Sequence, residues 1–201
     1  MSRVTDLTKK VITETALNMF IENSISKVRL YDIAAKADVG EATIYRHFGN
    51  KQNVVISAAI ELSNRISVEY LSRDESLSGL ESIRKFYNVF LTIFKNYNYY
   101  FSFLNELDTY LLAEDYNGRD NYQNNLNYYK EVFYKDYEKG LEDNSIRKID
   151  DVEAFYFATT HSLTALCKKL STKKILEQDD YVDKEKEIEV LIEIFLDYLK
   201  K

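Results

Sequence analysis

The sequence predicts an all-α protein with a small N-terminal helical domain, residues 1–50, and a larger C-terminal helical domain, residues 51–201. Proline is absent, and the five glycines lie mostly between segments whose apolar residues repeat with the period of a helix. No sustained alternation of apolar and polar residues indicates a sheet. At 201 residues the chain is long enough for one core or two small ones.

The most informative stretch of the N-terminal domain is LYDIAAKADVGEATIYRHFGNK, residues 30–51, which holds two short amphipathic helical patterns. From Leu30 onward, the first pattern places apolar residues at the i, i+3, i+4 and i+7 positions of one face. Gly40 follows, either as the N-cap of the second helix or as a residue with an unusual backbone angle. In the second pattern, Ile44 and Phe48 share the inward face. This arrangement is the sequence form of a helix-turn-helix.

The outward face of the second helix carries Ala42 and Arg46, with Thr43 and Tyr45 on its flanks. A helix that enters the major groove needs a small residue, donors for phosphates and a forked cation for guanine. The pattern alone is also compatible with a helical hairpin that has an ordinary solvated face. Residues 1–52 contain eight Lys and Arg against six Asp and Glu, whereas the remainder contains 19 against 27. The charge distribution therefore places any nucleic-acid contact at the N-terminus.

From about Val11 to Ala58 the chain resembles the N-terminal domain of the tetracycline-repressor (TetR) family of bacterial transcription regulators. The resemblance lies in Val11, Ile12, Ala16, Leu17 and Phe20, then in Asp32, Ile33, Ala34, Ala37, Val39, Thr43, Ile44, Tyr45, His47, Phe48 and Lys51. This dense motif with fixed spacing is more specific than a generic helix-turn-helix. It implies that Thr43, Tyr45, His47 and Lys51 contact the DNA backbone, and that Glu41, Ala42 and Arg46 lie where bases are read.

Four positions within that match differ from the family's usual residues or are unexpected on a surface that meets DNA. Gly40 stands where the family usually has a serine as the helix cap, and glycine is a tolerable cap. Gly49 stands where the family often has a proline, in the turn before Lys51. Arg29 stands where threonine or serine often opens the second helix; arginine cannot cap, but it can reach a phosphate. Glu41 either complements the positive helix N-terminus or accepts a hydrogen bond from a cytosine amino group. These features concern the target sequence and not the class of protein.

The C-terminal domain is predicted as a series of helices separated by polar links. A long helix from Lys51 to about Arg73 joins the two domains. The others run from Gly79 to about Tyr97, Tyr99 to Asp115, Asn121 to Glu142, Asp150 to Leu170 and Tyr181 to Leu199, with a bend near Asn98 and a turn at 116–120.

Aromatic residues are dense in this domain, which has most of the chain's 17 tyrosines and 11 phenylalanines. Most of them are expected to fill a core. Rings with a few polar tips also line pockets for small organic ligands, and the TetR resemblance implies an effector pocket here. The candidate ligand-binding residues are Tyr87, Phe90, Phe94, Phe103, Glu106, Leu107, Tyr110, Phe133 and Tyr137. Glu106 is either a partner for a cationic ligand or a solvated or paired acid.

The last two predicted helices carry apolar stripes that either cover their own domain or form a four-helix interface between two subunits. The candidate interface residues are Phe155, Ala158, Thr159, Ser162, Leu163, Leu166, Leu191 and Phe195. The resemblance favours a two-fold homodimer, whose symmetry matches a palindromic operator in double-stranded DNA.

Other classes of protein lack support in the sequence. Neither His47 nor His161 has a glutamate three residues before it, and no Gly-rich phosphate loop or Gly-x-Ser-x-Gly motif occurs. We therefore expect neither an enzyme nor a metal or cofactor site. The single Cys167 gives no disulfide framework, no apolar run approaches the ~20 residues of a membrane span, and no signal peptide is evident. We expect a cytoplasmic protein that does not bind membranes.

Together these observations predict a ligand-responsive DNA-binding regulator, in the form of a repressor that releases its operator when a small hydrophobic or aromatic effector binds. The alternatives are a helical protein-interaction scaffold and a DNA-binding regulator that needs no ligand.

Overall fold

A computed structural model describes residues 3–72, 74–97, 99–113, 119–172 and 177–201. It confirms the all-α prediction: within those ranges the chain forms no strand, only an isolated antiparallel bridge between Ile146 and Lys200. The helices are α1 (Arg3–Glu22), α2 (Leu30–Lys36), α3 (Glu41–Phe48), α4 (Lys51–Tyr70), α5 (Gly79–Asn96), α6 (Tyr99–Ala113), α7 (Arg119–Glu142), α8 (Val152–Ser171) and α9 (Lys184–Leu199), with a 3₁₀ turn at Glu177–Asp180. The bend expected at Asn98 and most of the turn expected at 116–120 lie outside the described residues.

The chain forms two compact units, one of Met1–Ile66 with Phe103–Asn125 and the other of Ser67–Ser102 with Leu126–Lys201. The helices α4, α6 and α7 each contribute residues to both units. The functional division at residue 50 remains a prediction.

In the first unit, α2 packs against α1 and α3. The turn between α2 and α3 settles the role of Gly40, which is the N-cap of α3 with an extended backbone (φ −72°, ψ 143°). The left-handed backbone belongs to Asp38 instead, at φ +53°. Aspartate tolerates this region better than most residues because its short polar side chain can bond locally. The last turn of α3 ends at Gly49, which has φ +78°.

In the second unit, α5 packs against α8 and α9. Its core is a cluster of rings: the centroid of Phe133 lies 5.6 Å from that of Phe86, 6.1 Å from that of Tyr87 and 5.2 Å from that of Tyr156. Edge-on and tilted rings at such distances attract each other beyond their burial of surface. The prediction that most aromatic residues fill a core holds for this cluster.

Two helices begin later than their apolar patterns predicted, because an aspartate caps each one. The Asp151 carboxylate accepts a hydrogen bond from the Ala154 N–H, so α8 begins at Val152. The Asp183 carboxylate accepts from two N–H groups in the first turn of α9, which begins at Lys184. Capping of this kind satisfies amide groups that have no partner inside the helix.

The start of α5 is locked onto the end of α7. The Gly79 N–H donates to Asp143 Oδ2 at 2.7 Å, and the Leu80 N–H donates to Ser145 Oγ at 3.0 Å. The hydrogen bonds from Ser145 and Gly79 lower the pKa of Asp143. Gly79 and Gly140 allow the two backbones to touch, because a Cβ on Gly79 would lie 2.1 Å from the Gly140 nitrogen.

Candidate DNA-binding site

The helix α3 turns its predicted recognition face outward. Ile44 and Phe48 are buried and anchor the helix in the core of the first unit. Ala42 and Arg46 are exposed on the opposite side, and Tyr45 is 51% exposed. The structure therefore brings a small residue, a phenol and a guanidinium together on one accessible surface.

The remaining predicted DNA contacts on α3 lie at the edge of this surface. Glu41, Thr43 and His47 are half-buried. Glu41 occupies the first turn, where its negative charge complements the partial positive charge of the helix N-terminus. The Lys9 ammonium lies 5.7 Å from the centroid of the Phe48 ring, so a cation from α1 also lies close to this end of α3.

The start of α2 is the second part of the candidate surface. Arg29 is exposed, and its backbone N–H donates to the Asp32 carboxylate at 3.0 Å. The Asp32 carboxylate thus satisfies the backbone N–H of Arg29 at this end of α2. The Arg29 side chain itself is exposed. The neighbouring Tyr31 is 67% exposed, an exposed phenol that sequence reasoning did not single out.

Lys51 lies in a different environment from the other predicted DNA contacts. Its ammonium donates to the Ile25 carbonyl oxygen at 2.6 Å and lies 5.6 Å from the centroid of the Tyr110 ring. The Ile25 N–H donates to Glu106 Oε2 at 2.8 Å. Lys51 and Glu106, predicted for DNA and for ligand respectively, therefore bind the two polar groups of one residue. Sequence spacing gives no signal for this cluster, because Ile25 and Glu106 are 81 residues apart.

The predicted ligand-binding residues divide between the two compact units. Phe103 and Leu107 are buried in the first unit, where Glu106 and Tyr110 are half-buried. The second unit contains buried Tyr87, Phe133 and Tyr137 and half-buried Phe90 and Phe94. Their assignment to an effector site remains a prediction.

Two buried phenols of that set have hydrogen-bond partners inside the second unit. The Tyr87 hydroxyl donates to Thr159 Oγ1 at 2.8 Å, and the Tyr137 oxygen accepts from the Ile149 N–H at 2.9 Å. Burial raises the pKa of Tyr87 well above its usual value. Burial likewise raises the pKa of Tyr156 to about 12. The Tyr87 and Tyr137 side chains are thus hydrogen-bonded members of the core.

The predicted interface residues on α8 and α9 do not all face outward. Thr159 and Leu163 are buried in their own unit, and this corrects their assignment to a partner surface. Phe155, Leu166, Leu191 and Phe195 are half-buried, whereas Ala158 and Ser162 are exposed. The large apolar residues that are exposed on these helices are Phe157, Val190, Ile194 and Tyr198. The helices are apolar on two sides, and the predicted set of interface residues contains residues from both sides.

A family model described as "Bacterial regulatory proteins, tetR family" matches residues 12–58, which contain the second half of α1, all of α2 and α3 and the start of α4. Residues 12–58 therefore resemble the N-terminal domain of TetR-family regulators. Over the described residues the chain has the all-α fold of solved TetR-family structures, with a helix-turn-helix near its N-terminus. No curated protein matches the sequence.

Solved structures of regulators share this fold over nearly the whole chain. The fatty acid degradation regulator FadR from Bacillus halodurans is 18% identical, with a TM-score of 0.70 over 98% of this chain and 96% of that one. FadR from Bacillus subtilis in complex with stearoyl-CoA is 17% identical, with a TM-score of 0.68 over 94% and 98%. A TetR-family regulator from Agrobacterium tumefaciens is 11% identical, with a TM-score of 0.71 over 98% and 100%.

Across the described ranges, none of the helices has the length and apolar character needed to cross a bilayer.

Proposed function

We propose that this protein is a TetR-family repressor that binds a palindromic operator and releases it when a small hydrophobic or aromatic effector binds the C-terminal domain. The observation that carries the proposal is the exposed face of α3, held outward by buried Ile44 and Phe48. Arg46 is the principal reader of bases, because its fork matches the two acceptors of guanine. Ala42 lets the helix approach the groove, and Glu41 accepts a hydrogen bond from a cytosine amino group.

The backbone contacts proposed beside these base contacts come from Thr43, Tyr45, His47 and Arg29. Hydroxyl, phenol, imidazole and guanidinium groups all donate to phosphate oxygens, and such contacts set the register of a protein on the duplex. Lys51 is not among these contacts, because its ammonium donates to the Ile25 carbonyl oxygen.

The proposed dimer uses the outward sides of α8 and α9. Phe157, Ile194 and Tyr198 are 40%, 57% and 51% exposed, and Ala158 and Ser162 are exposed on the same helix as Phe157. A two-fold pair of these helices buries the apolar side chains and presents two α3 helices. Successive major grooves on one side of DNA require those helices to lie about 34–36 Å apart.

Replacement of Ile194 by glutamate tests the dimer, because a charge at the centre of the interface would be desolvated. The variant is expected to sediment as a monomer. The matched control is Val68→Glu, since Val68 is 83% exposed on α4, outside the proposed interface. A monomeric wild-type protein, or an Ile194→Glu protein that stays dimeric, would contradict the proposal.

The DNA-binding proposal is tested by selection of duplexes from a randomised double-stranded library, followed by affinity measurements on the enriched sequence. Arg46→Ala is expected to cost about 1–3 kcal/mol and to relax the preference at its base. Tyr45→Ala is expected to weaken binding to all sequences. The matched control is Arg84→Ala, which removes an arginine paired with Glu193 on the second unit and should leave affinity unchanged. Failure to enrich any sequence would refute the proposal.

Acyl-CoA thioesters are the first compounds to test as effectors, because the similar structure of FadR from Bacillus subtilis is a complex with stearoyl-CoA. Addition of a long-chain acyl-CoA is expected to lower operator affinity, while free coenzyme A should not. The packed ring cluster around Tyr87 and Phe133 favours the second candidate, a regulator that needs no ligand. If neither acyl-CoA thioesters nor small aromatic compounds change operator affinity, the second candidate stands.

A further inference from the structure

The turn between α1 and α2, residues 23–29, has few backbone hydrogen bonds of its own. The Lys27 and Val28 N–H groups both donate to the Ser24 carbonyl, at 3.1 and 3.4 Å. The Ile25 and Val28 side chains are buried and fix the turn to the core. At Ile25, both backbone polar groups are instead satisfied by charged side chains from distant helices.

The two charges approach Ile25 from different elements. Glu106 is on α6 and accepts from the Ile25 N–H at 2.8 Å, whereas Lys51 is the first residue of α4 and donates to the Ile25 oxygen at 2.6 Å. Hydrogen bonds to ionised groups are shorter and roughly twice as strong as neutral ones. The Tyr110 ring, one turn after Glu106 on α6, faces the Lys51 ammonium, and a ring face stabilises a cation. We call these three side chains the Ile25 clamp.

The clamp acts on the segment that leads into the candidate DNA surface. Ile25 is four residues before Arg29 and five before the start of α2, and α2 packs against α3. A turn held at Ile25 fixes where α2 begins and hence where Arg29 and α3 lie. A turn freed at Ile25 must be ordered again when DNA binds, and ordering of a loop weakens affinity.

We infer that Glu106 and Lys51 are positioning residues for operator binding, which act through the backbone N–H and C=O groups of Ile25. In this inference Glu106 does not contact an effector and Lys51 does not contact a phosphate. The inference rests on the proposed DNA-binding function. One of the three N–H groups of the Lys51 ammonium is held by the Ile25 carbonyl oxygen, which ties this lysine to the turn.

Salt dependence separates positioning from phosphate contact. Loss of a lysine that neutralises a phosphate lowers the slope of log affinity against log salt by about 1. The test measures affinity for the enriched duplex over a salt series with wild type, Lys51→Met, Glu106→Ala and Glu106→Gln. Lys51→Met keeps the aliphatic stem without the charge, and Glu106→Gln keeps an oxygen that can accept from Ile25.

The expected result is a loss of about tenfold in operator affinity for Lys51→Met and for Glu106→Ala, with the salt slope of the wild type. Glu106→Gln should recover most of that loss. The combined Lys51→Met and Glu106→Ala variant should lose less than the product of the two single losses, because either change alone frees the turn. A shallower salt slope for Lys51→Met, or wild-type affinity for Glu106→Ala, would overturn the inference.

A second measurement does not depend on DNA. Hydrogen exchange of the Ile25 amide should be slow in the wild type and in Glu106→Gln, and at least about tenfold faster in Glu106→Ala. If Glu106→Ala fails to fold, exchange of the Ile25 amide in the wild type and in Glu106→Gln still decides the question. Rapid exchange of that amide in the wild type would overturn the clamp. If the wild type enriches no duplex, the proposed function fails, while the exchange measurement still tests the clamp.

Discussion

The contact between Gly79 and Gly140 gives the sharpest stability prediction. A Cβ on Gly79 would lie 2.1 Å from the Gly140 nitrogen, 2.2 Å from the Gly140 Cα and 2.7 Å from the Asp136 carbonyl oxygen. All three atoms belong to the backbone of α7 and cannot rotate away. The start of α5 would have to retreat by more than an ångström, which would also stretch the hydrogen bond from the Gly79 N–H to Asp143.

The expected cost of Gly79→Ala follows from these two effects. Overpacking of a tight contact costs typically about 1–3 kcal/mol, and a weakened hydrogen bond to a charged group adds about 1.5 kcal/mol. The gain from replacing a helical glycine, about 0.5–1 kcal/mol, offsets part of this. We expect the free energy of unfolding to fall by about 3 kcal/mol, which lowers Tm by about 10 °C for a chain of this size.

Thermal and denaturant unfolding, monitored by circular dichroism, measure the effect. The matched control is Gly40→Ala, because a Cβ there would lie no closer than 4.0 Å to Thr43 Oγ1 and the loss should stay within about 1 kcal/mol. Equal stabilities of Gly79→Ala and Gly40→Ala would refute the reasoning.

Gly140 offers an internal comparison, since its obstacle is a side chain. A Cβ on Gly140 would meet Ile146 Cδ1 at 2.2 Å and Cγ1 at 2.6 Å. Truncation by Ile146→Ala should relieve that overlap, so the combined variant should lose at least about 0.5 kcal/mol less than the sum of the two single losses. Strict additivity would contradict this explanation.

Three further predictions concern single side chains. Asp38→Gly should raise the free energy of unfolding by up to about 1 kcal/mol in denaturant titration, because Asp38 has φ +53°; a loss of stability would contradict it. Tyr87→Phe should lower the free energy of unfolding by about 1 kcal/mol. Adding Thr159→Val to that variant should cause little further loss, because the hydrogen bond that is lost joins these two residues; full additivity of the two losses would count against this. Burial raises the pKa of Cys167 to about 12, so labelling of the native protein by a thiol reagent should not accelerate near pH ~8.5, where an exposed thiol ionises; rapid labelling there would contradict the burial.

Helical periodicity predicted the elements and the orientation of α3, because one face of that helix is apolar and the other is not. It could not sort the faces of α8, where Thr159 lies inward and Ser162 outward on a helix that is apolar on two sides. It placed no special backbone at Asp38, since a left-handed residue is selected by the geometry of the whole turn. The pairing of Glu106 with Ile25 was beyond reach, because a contact across 81 residues leaves no local pattern.

The membership of Phe103–Asn125 in the first compact unit has a consequence for modular engineering. A recombinant fragment cut at residue 50 or at residue 66 would lack Glu106 and Tyr110, and the amide hydrogen of Ile25 would lose its acceptor. Chimeras that join the proposed DNA-binding unit to another protein therefore need to carry the later segment, Phe103–Asn125, as well. A transplant limited to the helices that are proposed to contact DNA would deliver the proposed recognition side chains without part of their supporting structure.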